Sequence, residues 1–395
     1  TLLIFGTSKL FTPFLLIYLL FVYRGSLLKL SKKYLIWGAL ALLIFGLPTA
    51  YSTLFGGGSQ RFGYVSVFTD PVTEPEVGAL RLQDFSARQL AGGAEQPTFI
   101  DRALHNKYTL WTKKVTDNYL TAFSTQFLFI EGDPNPRHSI KSLGQFYKFE
   151  AVLMLLGIIT FFALEKDTRL KLLITLWTLA GVLPSAITRD GGNHATRLIL
   201  MLPSLVFLIA YGTDYLLRAF KGRMKDVISL LYIGLFVFAV FSYQHNYRLH
   251  YPLDSEEWWH AGWGEAIFEV KEREGDYERV FITMRDEPAW IFFAGHYKYP
   301  PDRWHEGFPM ASTEVEGFGG MSYIDKFHFG SPKEEEGGIY ALNRFLQEGD
   351  LYLASAKEIP WNLIIEKDRV PTGLKLLDSV AYPSGAPAFY LFERQ

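Results

Sequence analysis

Six charge-free apolar stretches, at about 10–23, 34–50, 151–164, 172–187, 198–213 and 227–243, dominate the pattern of the chain. Apolarity without a polar face predicts membrane-spanning helices, because a span has no side to show to water. Most of the stretches fall short of the ~20 residues that cross a hydrocarbon core. Lys171 can snorkel at one end, and Phe146, Tyr147 and Phe149 can extend another into the interface. The expected architecture is a polytopic α-helical membrane protein with six visible spans in 1–243, followed by a polar tail, 244–395.

The loops between the stretches alternate in charge. The loop 24–33 carries Arg24, Lys29, Lys32 and Lys33 and no acid. The loop 165–171 carries Lys166, Arg169 and Lys171, and the loop 218–226 carries Arg218, Lys221, Arg223 and Lys225. The positive-inside rule puts these short loops in the cytoplasm. The long loop 51–149, the short loop 188–197 and the tail are then extracytoplasmic. All nine histidines fall in these outer segments, so polar chemistry gathers on the outer face.

Within the long loop, Gly56, Gly57 and Gly58 read as a flexible opening, 102–118 as helical, and 119–130 as an interfacial helix or strand. Two prolines make 131–138 an irregular turn ending in Arg137 and His138. In the tail, 277–284, 350–354, 374–381 and 388–393 read as strands, with helices at 256–272, 286–295 and 337–347. That alternation predicts a small layered α/β domain.

Composition narrows the classes. A formal net charge of −2 gives no support to a nucleic-acid partner. The chain has no cysteine, which removes disulfides and thiolate metal sites. It begins with Thr1 rather than Met, and 2–6 read as the tail of an earlier span, so further spans are expected upstream.

The best functional candidate is the short outer loop Thr188-Arg189-Asp190-Gly191-Gly192-Asn193-His194-Ala195-Thr196-Arg197. His194 and Arg197 lie at i, i+3 where a span begins, and a helix N-terminus adds partial positive charge and free amides. This suits a phosphate at headgroup depth; the alternative is a solvated hairpin with snorkelling arginines. In the second candidate, 134–138, Arg137 could grip a phosphate or carboxylate and Asp133 accept hydroxyl hydrogen bonds; the alternative is a turn that redirects the chain. Lys9, at the outer end of the first span, could neutralise a lipid phosphate or act as an anchor. There is no HExxH motif, and Gly317-Phe318-Gly319-Gly320 lacks a following P-loop Lys-Ser or Lys-Thr. His296, His305 and Glu306 could approach a metal, but their aromatic surroundings favour packing. No resident metal or other cofactor is expected from these patterns, the need for a divalent ion staying open. The charge-free spans argue against an ion-coupled transporter.

Several of these segments together resemble the bacterial dolichyl-phosphate-mannose protein mannosyltransferase-like group, which includes the lipid A aminoarabinose transferases and has the type C glycosyltransferase fold. The resemblance rests on Thr7-Ser8-Lys9 at a span junction and on Phe127-Leu128-Phe129-Ile130-Glu131-Gly132-Asp133-Pro134-Asn135-Pro136-Arg137-His138 with Gly144 following. It rests also on Asn193-His194-Ala195-Thr196-Arg197 with Pro203 and Gly212 in the next span. In the tail, 277–284, 289–293 and 297–301 look like the soluble domain of bacterial members.

The resemblance implies transfer of a sugar from a polyprenyl-phosphate donor lipid to an extracytoplasmic acceptor, a protein or a lipid or glycan, at a bacterial inner or plasma membrane. It implies a donor phosphate held by Lys9, His194 and Arg197, with Asp133, Arg137 and His138 on the substrate side. Fixed cations at the leaving phosphate would stabilise the charge that develops there. The family's carboxylate base sits in a first outer loop with no counterpart here, so no catalytic residue is assigned. The alternative is a non-catalytic membrane scaffold or glycan-binding protein that presents its C-terminal domain.

Overall fold

Apolar side chains drive each of the expected stretches into a helix, and polar residues set where the helices stop. The computed structural model describes residues 7–56, 60–90, 97–286, 288–307 and 315–395. The expected span remnant at 2–6, the glycines at 57 and 58, and Glu287 of the expected 286–295 helix lie outside them. The chain divides into two compact units, Thr1–Tyr247 and Arg248–Gln395.

The first unit is helical: α1 (Ser8–Val22), α2 (Lys32–Leu54), α3 (Thr73–Leu90), α4 (Phe99–Leu104), α5 (Lys107–Thr121), α6 (Glu150–Leu164), α7 (Thr168–Ala186), α8 (Leu202–Ala219) and α9 (Gly222–His245). Side-chain caps start several of them. Asp167 accepts from the Arg169 and Leu170 amides at α7, and Asn106 takes the Tyr108 and Thr109 amides at α5. The latter cap splits the expected 102–118 helix into α4 and α5.

Four helical segments, Lys32–Thr53, Thr168–Ala186, Ala195–Ala219 and Gly222–Asp254, are long and apolar enough to cross a membrane, and Ser8–Val22 and Glu150–Leu164 are apolar but shorter. By length and composition the chain is a polytopic helical membrane protein. On α2 and α9 apolar side chains such as Ile36, Trp37, Phe238 and Phe241 stay exposed. That is the surface expected of helices whose solvent is lipid.

Helices α6, α7 and α8 bury their contacts. Phe161 is fully enclosed, with Phe207 and Tyr211 rings 5.5 and 5.2 Å from it. Where α6 crosses α8, a Cβ added at Gly157 would overlap the Leu208 carbonyl oxygen, and one added at Gly212 would overlap the Leu153 carbonyl oxygen. The two glycines let the backbones touch, the usual device between helices in lipid. Antiparallel to α7 runs α1, since Phe11 packs on Trp177 and the Tyr18 hydroxyl donates to the Arg169 carbonyl.

The second unit is a six-stranded sheet of β1 (Arg279–Ile282), β2 (Ser322–Ile324), β3 (Phe327–Phe329), β4 (Asp350–Ser355), β5 (Leu374–Ala381) and β6 (Pro387–Arg394), in the order β2-β3-β1-β4-β6-β5. Strand β1 is parallel to β3 and β4, whereas β6 runs antiparallel to both β4 and β5. Period-two alternation gives the sheet two cores. Val280, Ile282, Leu351, Leu353, Phe389 and Leu391 pack with Trp263, Ile267 and Val270 of α10 (Trp263–Arg273) on one face. On the other, Phe281, Tyr352, Tyr390 and Phe392 pack with Phe318, Leu342 and Leu363. A sheet covered on both faces is what near-continuous apolar strands require.

Helix α10 starts later than the expected 256–272. Gly262 and His260 adopt left-handed backbone angles, φ 87° and 56°, which no helix tolerates. Trp258 and Trp259 therefore lie in the preceding turns, and Trp263 opens the helix. The expected 337–347 helix is a tighter 3-10 segment, Gly338–Arg344, and 286–295 shrinks to Ala289–Phe293 with a π-type turn after it.

Candidate functional site

The turn after Phe129 is built from side chains that replace backbone partners. Asp133 Oδ1 accepts the Asn135 amide at 2.8 Å, and Asn135 Oδ1 accepts the Arg137 amide at 2.9 Å. The intervening Pro134 and Pro136 have no amide to satisfy, so Asx residues alternating with prolines account for the amides from 134 to 137. Gly132, at φ 76°, reverses the chain where a Cβ would overlap the Leu143 carbonyl.

The 188–197 loop is equally tied down. The Asn118 side chain donates to the Ala186 and Thr188 carbonyls at 3.0 and 2.7 Å. The Ser185 hydroxyl donates to the Gly191 carbonyl at 2.6 Å, and Ser66 pairs with Thr188 in a short β-bridge.

These two loops meet at one carboxylate. Asp133 Oδ2 accepts the Ala195 amide at 2.8 Å and pairs with His138 Nδ1 at 3.0 Å, and His194 Nδ1 lies 3.9 Å away. A carboxylate only accepts, so His138 donates to it through Nδ1. The His138 and His194 rings stack with centroids 4.7 Å apart. Asp133 is 7% exposed, whereas both histidines are half-buried. Burial, reinforced by the nearby Arg197 charge, lowers the His194 pKa below the usual histidine value, although Asp133 pulls the other way. Among the described residues, Asp133, His138 and His194 are the one group of three or more such side chains whose ligand atoms converge as a metal site requires, all within 4.8 Å.

The other expected residues are placed as follows. Arg197 Nη1 donates to Asp190 Oδ1 at 2.6 Å and to Thr188 Oγ1 at 2.7 Å, so its guanidinium is held within its own loop. Burial alone would raise the Asp190 carboxyl, but the Arg197 hydrogen bond and charge hold it below its ordinary value. Arg189 lies 3.6 Å from Asp70. Arg137 is half-buried in the Asx-turn segment. Lys9 sits in the first turn of α1, at the end that runs toward the C-terminus of α7 and so toward the 188–197 loop. The meeting of His138 with His194 was not visible from their separate loops; the signal that could have raised it was the concentration of histidine in outer segments.

The C-terminal unit holds a second polar cluster at the ends of β1, β3 and β4, where the strand order reverses. Glu358 accepts from the Thr283 and Tyr352 hydroxyls and from the Ser355 amide. Thr283 also meets the Ser331 hydroxyl at 3.2 Å. Burial outweighs those hydrogen bonds and pushes the Glu358 carboxyl up to about 7. Because the folded pKa lies above the unfolded value, this group stabilises the fold fully below the ordinary glutamate range, and the contribution is lost as pH rises through 7. Between pH 5 and 8 the unit is expected to lose about 2 kcal/mol, less than the full shift converts to because pH 5 already lies above the ordinary glutamate value. Pulse proteolysis of the full chain at both pH values checks this, with Glu358→Gln expected to flatten the loss. Equal losses in the two proteins would assign the pH dependence to other groups.

No protein-family model, curated protein or solved structure matches this chain.

Proposed function

We propose that the chain is a membrane glycosyltransferase of the type C kind that moves a sugar from a polyprenyl-phosphate donor to an acceptor outside the membrane. The observation that carries the reading is the junction at Asp133. Two polar loops from distant parts of the sequence come together there, next to the start of the apolar Ala195–Ala219 segment, and bring His138, His194 and Arg197 into one neighbourhood. A headgroup phosphate at the edge of a bilayer needs a cation and hydrogen-bond donors at that depth, held by fixed loops.

In this reading all six apolar helices span the membrane of a bacterial cell, and the basic loops 24–33, 165–171 and 218–226 are cytoplasmic. The loops that carry Asp133 and His194, and the C-terminal sheet domain, then face outward, where nucleotide sugars are absent and a lipid-linked donor is the practical source. Lys9, His194 and Arg197 take the donor phosphate, and Asp133, Arg137 and His138 line the substrate side. Arg197 reaches the phosphate by exchanging its Asp190 partner for the donor, and Asp190 keeps the guanidinium oriented until then.

The test is binding and turnover of a labelled polyprenyl-phosphate hexose by the full chain in liposomes. A charge-assisted contact contributes about 1.5–3 kcal/mol, so Arg197→Ala should weaken donor use by ~10- to 100-fold. Arg197→Lys should recover part of it, because a point charge lacks the guanidinium fork. Arg189→Ala should cost little. Equal and small effects at Arg197 and Arg189 would leave the loop an ordinary hairpin, and glycan binding without any transfer would favour a scaffold.

A further inference from the structure

We propose that Asp133, His138 and His194 form a binding site for one divalent transition metal of the zinc type, with three protein ligands and an open fourth position. The inference goes beyond the glycosyltransferase reading and does not need it.

The geometry is close to what such an ion requires. At metal–ligand bonds of roughly 2.0–2.2 Å and tetrahedral angles, neighbouring ligand atoms sit about 3.4 Å apart. Asp133 Oδ2 lies 3.0 Å from His138 Nδ1 and 3.9 Å from His194 Nδ1, values on either side of that separation. All three ligand atoms lie within 4.8 Å of one another, and rotation of the two imidazoles, with shifts of up to about 1 Å, closes the set. In the metal-free state His138 donates through Nδ1 toward Asp133, so coordination through Nδ1 requires the tautomer that carries its proton on Nε2. His194 Nδ1, now 3.1 Å from the Thr196 hydroxyl, gives up that contact at the same time.

The donor set selects the class of ion. Two imidazoles and one carboxylate suit zinc, cobalt or nickel, whereas magnesium and calcium prefer all-oxygen shells. The carboxylate is already oriented by the Ala195 and Asn135 amides, the outer support that metal-bound carboxylates use. The open side follows from exposure: the Asp133 side chain is 3% exposed, against 21% for His138 and 15% for His194. The fourth position therefore faces away from Asp133 and takes water or an anionic oxygen, the chemistry of a phosphate.

The experiment uses the full chain in lipid nanodiscs, stripped with a chelator and titrated with Co2+ and then Zn2+. One equivalent of Co2+ should bind with visible absorption bands of a four- or five-coordinate site, and Zn2+ should displace it. Millimolar Mg2+ or Ca2+ should not. His138→Ala and His194→Ala should each weaken binding about tenfold or more, a loss of the size that changes around metal sites produce. Metal should raise the thermal midpoint of the wild type and not of the double variant. Because Asp133 also holds the loops together, the histidine variants carry the test, with their metal-free midpoints as the folding control. Saturable Co2+ binding that survives in the folded double variant, or no binding in the folded wild type, overturns the site. Neither result depends on sugar transfer, so failure here leaves the glycosyltransferase reading to its own assay.

Discussion

Asp133→Ala is expected to lower the stability of the membrane unit by about 4 kcal/mol, the largest effect of any substitution at the loop junction. The carboxylate is buried and accepts from the Asn135 amide, the Ala195 amide and His138. Removing it strands two amides and an imidazole donor that folding has taken out of water. Each charge-assisted bond contributes about 1.5–3 kcal/mol, and only partial resolvation of the vacated space offsets the sum. Asp133→Asn keeps the shape and one good acceptor but places an amide NH2 against another donor, and should lose about half as much. Unfolding in lipid, with hydrogen exchange read at residues 195–198, separates the cases. If Asp133→Asn costs less than about 0.5 kcal/mol, the precision of such comparisons, the negative charge is not what fastens the loops.

Gly212→Leu is expected to cost about 3 kcal/mol, at the upper end of overpacking. The added side chain would meet the Leu153 carbonyl and the backbone of Gly157 rather than a flexible side-chain tip. Backbone cannot step aside, so α6 and α8 must separate along their length, and the packing of Phe161 against Phe207 and Tyr211 opens with them. Gly212→Ala is the informative companion. Alanine favours a helix by about 1 kcal/mol over glycine, so a gain in stability from Gly212→Ala would show that the helices are not in backbone contact. Steric-trapping measurements in bilayers give the free energies needed.

What could be read before the fold was known follows from the range of the interactions. Apolar runs are local, and every expected span appears as a helix within a few residues of its expected place. Strand β6 was equally plain, because alternating Phe389, Tyr390, Leu391 and Phe392 feed both cores. Strands β2 and β3 were missed because each is three residues long and the turn between them hangs on Asp325 at φ 49°. Helix α3 was missed for a different reason: it is polar overall and buries few residues, among them Thr73 and Val77, so no apolar run marks it. Glu74 and Pro75 in its first turn were the available signal. For the site, Asp133, His138, His194 and Arg197 were each named from local chemistry. That one carboxylate oxygen joins residues 62 apart is a tertiary fact with no trace in either loop. Nor did the i, i+3 spacing of His194 and Arg197 reveal that Asp190 would hold the arginine.

The strand order of the C-terminal sheet also constrains how the chain is made. Strand β5 is synthesised before β6, yet its hydrogen-bonded neighbour is β6, which slots between β5 and β4. As the polypeptide emerges, β4 and β5 each wait with an open edge until residues 387–394 arrive to bridge them. Those edges are apolar templates for pairing with another chain. A chain truncated between residues 382 and 386 should therefore be unusually prone to aggregate and to require a holdase, whereas one that runs through residue 394 should not.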